Sequence, residues 1–216
     1  GSLLVVGMTR RQVLRATADG DLSIHADLSE VATWHCNDMV VDARGNAYVG
    51  NFGFDLENRA SPASADLALV RADGSVEVAA EGLGFPNGSV ITPDGSTLIV
   101  GETMGQCYTA FTIGDDGSLS ERRTWAEVQG TAPDGCSLDD DGAIWFANAA
   151  APEVVRVAEG GEILERRATP QSAFACILGG EDGRTLFVLT SPGFTADSAG
   201  SAAGAIWTTR VDSPGA

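Results

Sequence analysis

The sequence predicts an all-β chain built from β-propeller blades, and two observations predict it. One phrase recurs four times: an acidic or turn residue, a Gly, then a short apolar strand ending in small or polar residues. It reads VVDARGNAYVGNF from Val40, VITPDGSTLIVGET from Val90, SLDDDGAIWFANA from Ser137 and LGGEDGRTLFVLT from Leu178. Its anchoring glycines, Gly45, Gly95, Gly142 and Gly183, stand 50, 47 and 41 residues apart, a period that marks a repeat architecture. A second phrase of strand, turn and strand follows each of the first three: LALVRADGSVEVAAE, YTAFTIGDDGSLSERRTWAEV and PEVVRVAEGGEILERRAT.

Each first phrase holds two strands around a tight turn. Met39-Val40-Val41 leads through Asp42-Ala43-Arg44-Gly45 into Ala47-Tyr48-Val49, and Ser89-Val90-Ile91 leads through Pro93-Asp94-Gly95 into Thr97-Leu98-Ile99-Val100. Asp-Gly suits such hairpins because Gly takes positive φ without a Cβ clash. With the second phrase the unit is four short antiparallel strands, one propeller blade. A further copy, RQVLRATADGDLSIHADL, precedes the first anchor. No segment carries a helical period of apolar residues. A two-sheet sandwich is the alternative, but its strands do not recur in a fixed order of phrases. The mean spacing of 46 residues divides 216 residues into about 4.7 units of one domain, residues 1–216. The opening Gly-Ser-Leu-Leu-Val-Val-Gly matches the second strand of a unit, so the N-terminal part of the propeller is expected to be absent, or its open edge covered by another chain.

Composition narrows the partners. Net charge is −17 from 30 acidic and 13 basic residues, every basic one an Arg, which disfavours nucleic acid and anionic membrane surfaces. Apolar runs such as Leu3 to Val6 fall far short of the roughly 20 residues of a spanning helix. Cys36, Cys107, Cys136 and Cys176 form no C-x-x-C pair and read as small buried thiols in a reducing cytoplasm, with a zinc site as the weaker alternative.

The residues leading into the inner strands carry the chemistry. They are His35-Cys36-Asn37-Asp38, Phe85-Pro86-Asn87-Gly88, Ala132-Pro133-Asp134-Gly135 and Ala173-Phe174-Ala175-Cys176. In a propeller these segments converge on the mouth of the axial channel. Asn37, Asn87 and Asp134, one per blade, would offer hard oxygen ligands suited to Ca²⁺ or Mg²⁺. The competing reading takes Asn and Asp before Gly as plain turn residues. Asp73, Asp94, Asp116 and Asp141 fall in hairpin turns and read as turn formers. Glu102 is either a support for the site or a strand-end hydrogen bonder. No G-x-S-x-G is present, so nothing supports a serine nucleophile, and Cys36 is only a sequence neighbour of His35.

The phrases HCNDMVVDARGNAYVGNFGFD, GFPNGSVITPDGSTLIVGET and APDGCSLDDDGAIWFANA resemble the gluconolactonase/regucalcin-like, or senescence-marker-protein, family over essentially the whole chain. The resemblance implies a six-bladed propeller, of which this chain carries four to five blades, and a hydrolase that opens lactones, often of sugars. It implies one divalent cation in the channel, calcium first, with magnesium, manganese and zinc as alternatives. The family ligands of F-P-N-G and P-D-G fall on Asn87 and Asp134, and the N-D asparagine that touches substrate falls on Asn37. The family's acidic substrate-reading position falls on Asp55, and its frequent Arg is replaced by His35. The E-G-P glutamate ligand has no counterpart, so weak cation binding and low activity are expected of this chain. Asp134 is expected to act as both ligand and general base, with a small lactone as partner. The alternatives are a non-catalytic ligand-binding or scaffold propeller, and a metal-dependent hydrolase of other esters or phosphotriesters.

Overall fold

A computed structural model describes residues 3–194, 198, 200 and 202–216, so Gly1 and Ser2 of the opening motif lie outside the described residues. The chain is all-β, and eighteen strands among the described residues form five sheets of propeller-blade type. The first sheet is β1 (Leu3–Gly7), β2 (Gln12–Ala16) and β3 (Leu22–Asp27). The second is β4 (Cys36–Val41), β5 (Ala47–Asn51), β6 (Ala65–Val70) and β7 (Val76–Leu83). The third is β8 (Pro86–Ile91), β9 (Thr97–Glu102), β10 (Cys107–Ile113) and β11 (Leu119–Glu127). The fourth is β12 (Pro133–Leu138), β13 (Ile144–Asn148), β14 (Glu153–Val157) and β15 (Ile163–Ala168), and the fifth is β16 (Ala173–Gly179), β17 (Thr185–Thr190) and β18 (Ala205–Arg210). Within each sheet the strands lie side by side in chain order. Three sheets have four strands and two have three, which agrees with the 4.7 units read from the repeat.

The recurring phrase is the hairpin between the first two strands of a blade. Gly45, Gly95, Gly142 and Gly183 all have positive φ, between 71° and 88°. Each amide donates to the carbonyl three residues earlier: Asp42, Thr92, Asp139 and Gly180. The acidic residue that opens the phrase has its own task. Asp42 Oδ1 accepts from the amides of Arg44 and Asn46, and Asp139 Oδ1 accepts from those of Asp141 and Ala143. Asp73, Asp94 and Asp116 cap their turns in the same way, each accepting the amide two residues on, and their carboxyls are held below the usual range, first by the Ser75 amide at Asp73, the Thr92 hydroxyl at Asp94 and the Ser118 hydroxyl at Asp116. The turn-former reading of these residues is therefore borne out. Asp141 instead pairs with Arg156 at 2.8 Å.

The described residues group into two compact units, residues 1–87 with 113–120 and residues 88–112 with 121–216. The first has one buried cluster that includes Val13, Leu28, Ala47, Val49, Ala68 and Val70. The second has two, one built on Tyr108, Trp125, Ile144, Phe146 and Val155, the other on Trp145, Val154, Leu186 and Val188. The middle strands β5 and β13 are buried on both faces, which explains why their sequences run apolar without alternation. Each fully buried Val, Leu, Ile or Phe stabilises the fold by about 1.5 to 3 kcal/mol.

Asp139 is the buried charge on which its hairpin hangs. Its side chain is fully buried, and Oδ2 accepts from Arg156 Nε at 2.7 Å while Oδ1 holds two amides. Asp139→Ala is expected to lower stability by about 3 kcal/mol, read as a fall in the urea midpoint, because it takes the buried one of two carboxylate partners from Arg156 and leaves two turn amides unmet.

Candidate functional site

Of the predicted site residues, Asn37, Asn87 and Asp134 lie inside inner strands, Asn37 and Asp134 in bulges, while His35 stands just ahead of β4 and Asp55 in the loop after β5. In the first unit the register of β4 against β5 slips between Cys36 and Met39, so Asn37 and Asp38 occupy a β-bulge. A bulge re-aims the side chains it carries, which is why such irregularities gather beside functional sites. Asn37 Nδ2 is buried and, among the described residues, has no hydrogen-bond partner. An amide donor in that state suits an acceptor oxygen on a ligand. Asp38, its neighbour in the bulge, has its carboxyl pKa pushed up by burial.

His35 is held by aromatic rings. Its imidazole stacks on Trp34 with centroids 5.0 Å apart and meets Phe52 edge-on at 6.0 Å. Glu57 Oε1 lies 3.9 Å from its Nδ1. Asp55 is nearby in charge if not in contact. Its carboxyl is held low first by hydrogen bonds from the Asn58 side chain and amide, at 2.7 and 3.0 Å, and further by His35, so it is ionised at neutral pH.

The same aromatic chain leads to Asn87. Phe52 stacks on Phe85 at 4.4 Å, and Phe54 meets Phe85 edge-on. Phe85 itself has a left-handed backbone, with φ of 64°. Such a conformation costs about 1 to 3 kcal/mol in a non-Gly residue and persists only where packing imposes it. Here it turns the chain directly into Pro86 and Asn87. Gly50 has no room for a side chain, because a Cβ would collide with the Pro86 carbonyl. Asn87, at 3% exposure, is therefore set by its backbone.

Asp134 belongs to the second unit. β12 slips against β13 between Pro133 and Cys136, which places Asp134 and Gly135 in a bulge of the same kind. Asp134 Oδ1 accepts from the Gly135 amide at 3.0 Å. Just upstream, Asn148 Oδ1 accepts from the Ala132 amide at 2.9 Å, and the Ala149 amide donates to the Ala132 carbonyl at 3.0 Å.

Gly88 and Gly135 do not fit the plain-turn reading of Asn-Gly and Asp-Gly. Both lie within strands and neither has a positive φ, so they are not turn glycines. What they lack is space. A Cβ on Gly88 would collide with the Asp134 carbonyl, and one on Gly135 would lie 2.9 Å from the Ala175 Cα. The glycines of F-P-N-G and P-D-G are there for close backbone approach.

Glu102 resolves as a strand-end hydrogen bonder. It is buried, accepts from the Thr109 hydroxyl at 2.5 Å and lies 3.8 Å from Arg122 Nη2. The thiols are equally inert. Burial pushes Cys36 and Cys107 up to about 11, and Cys176 well above the usual thiol range. Among the described residues no three His, Cys, Asp or Glu side chains form a group that could hold a metal, so the cysteines and histidines assemble no zinc set. Asn87 and Asp134 are of another kind, an amide oxygen and a carboxylate. Those hard donors fit calcium as part of its usual six to eight oxygen ligands. Sequence reasoning did not find Phe52, Phe85, Glu57 or the bulges. The Phe ahead of Pro-Asn-Gly was the available signal.

Comparisons with known proteins converge on one family. The SMP-30/gluconolactonase/LRE-like profile matches residues 1–192. The chain is 30% identical to the pentonolactonase XacC of Haloferax volcanii, in an alignment that covers all of this chain and 75% of that protein. In structure it matches a gluconolactonase of Xanthomonas campestris with a TM-score of 0.73 and 26% identity, covering all of this chain and 69% of the other. It matches regucalcin of Agrobacterium tumefaciens, a calcium-binding protein, with a TM-score of 0.81 and 21% identity, covering all of this chain and 74% of the other.

Two outcomes are expected at the bench. Gly88→Ala should lower the melting temperature and displace Asp134, seen as shifted amide resonances across Asp134 to Cys136. At pH 8 a thiol pushed up to about 11 is about 0.1% thiolate, so Cys36 and Cys107 should label slowly with a disulfide reagent until the chain is unfolded, and Cys176, which burial pushes well above the usual thiol range, should do the same.

Proposed function

The chain belongs to the SMP-30/gluconolactonase/LRE-like family, and from that membership we propose that it is a divalent-metal-dependent lactonase acting on sugar lactones. The observation that supports the reading is the steric one: the glycines that follow Asn87 and Asp134 have no room for a Cβ, because the backbone of the next inner strand lies against them. The pentonolactonase and gluconolactonase relatives support the reaction class, and the calcium-binding relative supports the cation.

Asn87 and Asp134 would hold the cation through their side-chain oxygens, with water, substrate or further protein groups completing its coordination. Calcium is favoured, with magnesium, manganese and zinc as alternatives. A bound cation supplies Lewis acidity, which polarises the lactone carbonyl and acidifies water. The rest falls to side chains. Asp134 takes a proton from the attacking water, whose oxygen bonds to the carbonyl carbon. The ring C–O bond then breaks, and the departing oxygen takes up a proton to leave the open hydroxy acid. The buried Asn37 amide donates to a substrate oxygen. His35 and ionised Asp55 bind the hydroxyls and set their orientation.

Hydrolysis of glucono- and pentonolactones, followed by acid release with and without added Ca²⁺, tests the proposal. Asp134→Asn is expected to lower kcat by about 10² to 10⁴-fold with the melting temperature unchanged. Full turnover by that variant would remove Asp134 from the mechanism. A wild-type chain that hydrolyses no lactone with any of the four cations would leave the binding or scaffold reading and the ester or phosphotriester hydrolase reading in its place.

A further inference from the structure

The residue that follows the second strand of a blade reaches the start of the next blade's inner strand. After β5 that residue is Phe52, whose ring stacks on Phe85 just ahead of Asn87. After β9 it is Thr103, whose hydroxyl donates to the Pro133 carbonyl at 2.6 Å. That carbonyl belongs to the peptide joining Pro133 to Asp134.

The segment ahead of Asp134 is also held from its own blade. Ala132 is bonded through its amide to Asn148 and through its carbonyl to the Ala149 amide. Pro133 has no N–H to contribute. From Pro133 to Cys136 the register slips, so the regular ladder does not fix the peptide planes on either side of Asp134. The Thr103 hydroxyl acts at that gap, from the neighbouring sheet. Gly88 closes on the Asp134 carbonyl from the same sheet as Thr103. One contact is directional and falls on the Pro133–Asp134 peptide, the other is steric and falls on the Asp134–Gly135 peptide, so the two bracket the residue that carries the carboxylate.

We propose that Thr103 is a positioning residue for Asp134: its hydroxyl fixes the Pro133–Asp134 peptide plane and thereby the aim of the carboxylate. Its kinetic consequence rests on the lactonase reading, while its structural consequence does not. The sequence pattern agrees, since the corresponding positions after β13 and β17 are Ala149 and Ser191, and neither precedes a segment assigned to the site.

Thr103→Val keeps the shape and deletes the donor; Thr103→Ser keeps the donor and deletes a methyl; Thr103→Ala is a smaller second deletion should Val pack badly. In metal-free protein at pH 7, the Asp134 carboxyl ¹³C resonance, identified by its loss in Asp134→Asn, is expected to move in the Val and Ala variants and to return in Ser. Calcium affinity by calorimetry is expected to fall about 10-fold in Val and Ala. On a lactone that the wild type turns over, kcat is expected to fall about 10- to 100-fold with KM nearly unchanged. An unmoved carboxyl resonance in Thr103→Val would overturn the proposal, and so would a Ser variant as impaired as Val. If the wild type hydrolyses no lactone, the lactonase reading fails while the resonance comparison still decides the role of Thr103.

Discussion

Close backbone contact made by strand glycines with the inner strand of the next blade is the constraint on which Asn87 and Asp134 depend. At Gly50 a Cβ would strike the Pro86 carbonyl, at Gly88 the Asp134 carbonyl, and at Gly135 the backbone of Ala175. Protein interiors tolerate little extra volume, and here the obstructing atoms are main chain, which cannot rotate aside. Asn87 and Asp134 therefore sit on strands whose distance to a neighbour is set by van der Waals contact. The first of these glycines serves Asn87 and the second serves Asp134. A propeller hairpin can vary in length or sequence without moving either residue, because neither hairpin forms these contacts.

Two populations of glycine do different work. The hairpin glycines, such as Gly45 and Gly142, take positive φ and let each blade reverse direction. The strand glycines have ordinary extended backbone and are small for the sake of a neighbour. The same split runs through the aspartates. Asp42 and Asp139 spend their oxygens on turn amides. Asp134 stands in a bulge, where the ladder is interrupted and a side chain can leave the plane of the sheet. Sequence context alone, Asp-Gly in both cases, does not separate Asp94-Gly95 from Asp134-Gly135. The preceding residues and the register do.

That difference explains what was legible in the sequence. The hairpins were, because a positive-φ glycine beside an acidic residue is a local signal and the blade repeats it. The blade number followed from the period. The positions of Asn37, Asn87 and Asp134 at the starts of inner strands were legible from shared register, although the structure sets them within β4, β8 and β12 rather than ahead of them. The bulges were not legible, since a register slip is a relation between two strands. Nor were the Phe52–Phe85 stack or the Thr103–Pro133 bond, whose partners stand 33 and 30 residues apart. Phe85 is the instructive case. Its left-handed backbone contradicts the local preference of an aromatic residue, and only the rings of Phe52 and Phe54 make that conformation worth holding. Local rules fail at this residue because tertiary contacts are imposed on it, two positions before Asn87.

The cysteines belong to the same packing argument rather than to catalysis. Cys36 is fully buried at the head of β4, and Cys176 is 4% exposed within β16. The Cys176 thiol donates weakly to the Gly135 carbonyl at 3.5 Å and to the Trp145 carbonyl at 3.4 Å. It thus rests against the backbone that Gly135 brings close. A thiol is a small apolar group with one weak donor, so it fills a space too large for glycine and too narrow for valine without leaving a carbonyl wholly unmet. Burial of that kind also suppresses ionisation, which is why the thiols nearest the inner strands are the least nucleophilic. Close packing of inner strands therefore accounts at once for the glycines that hold the proposed ligands and for the inertness of the thiols beside them.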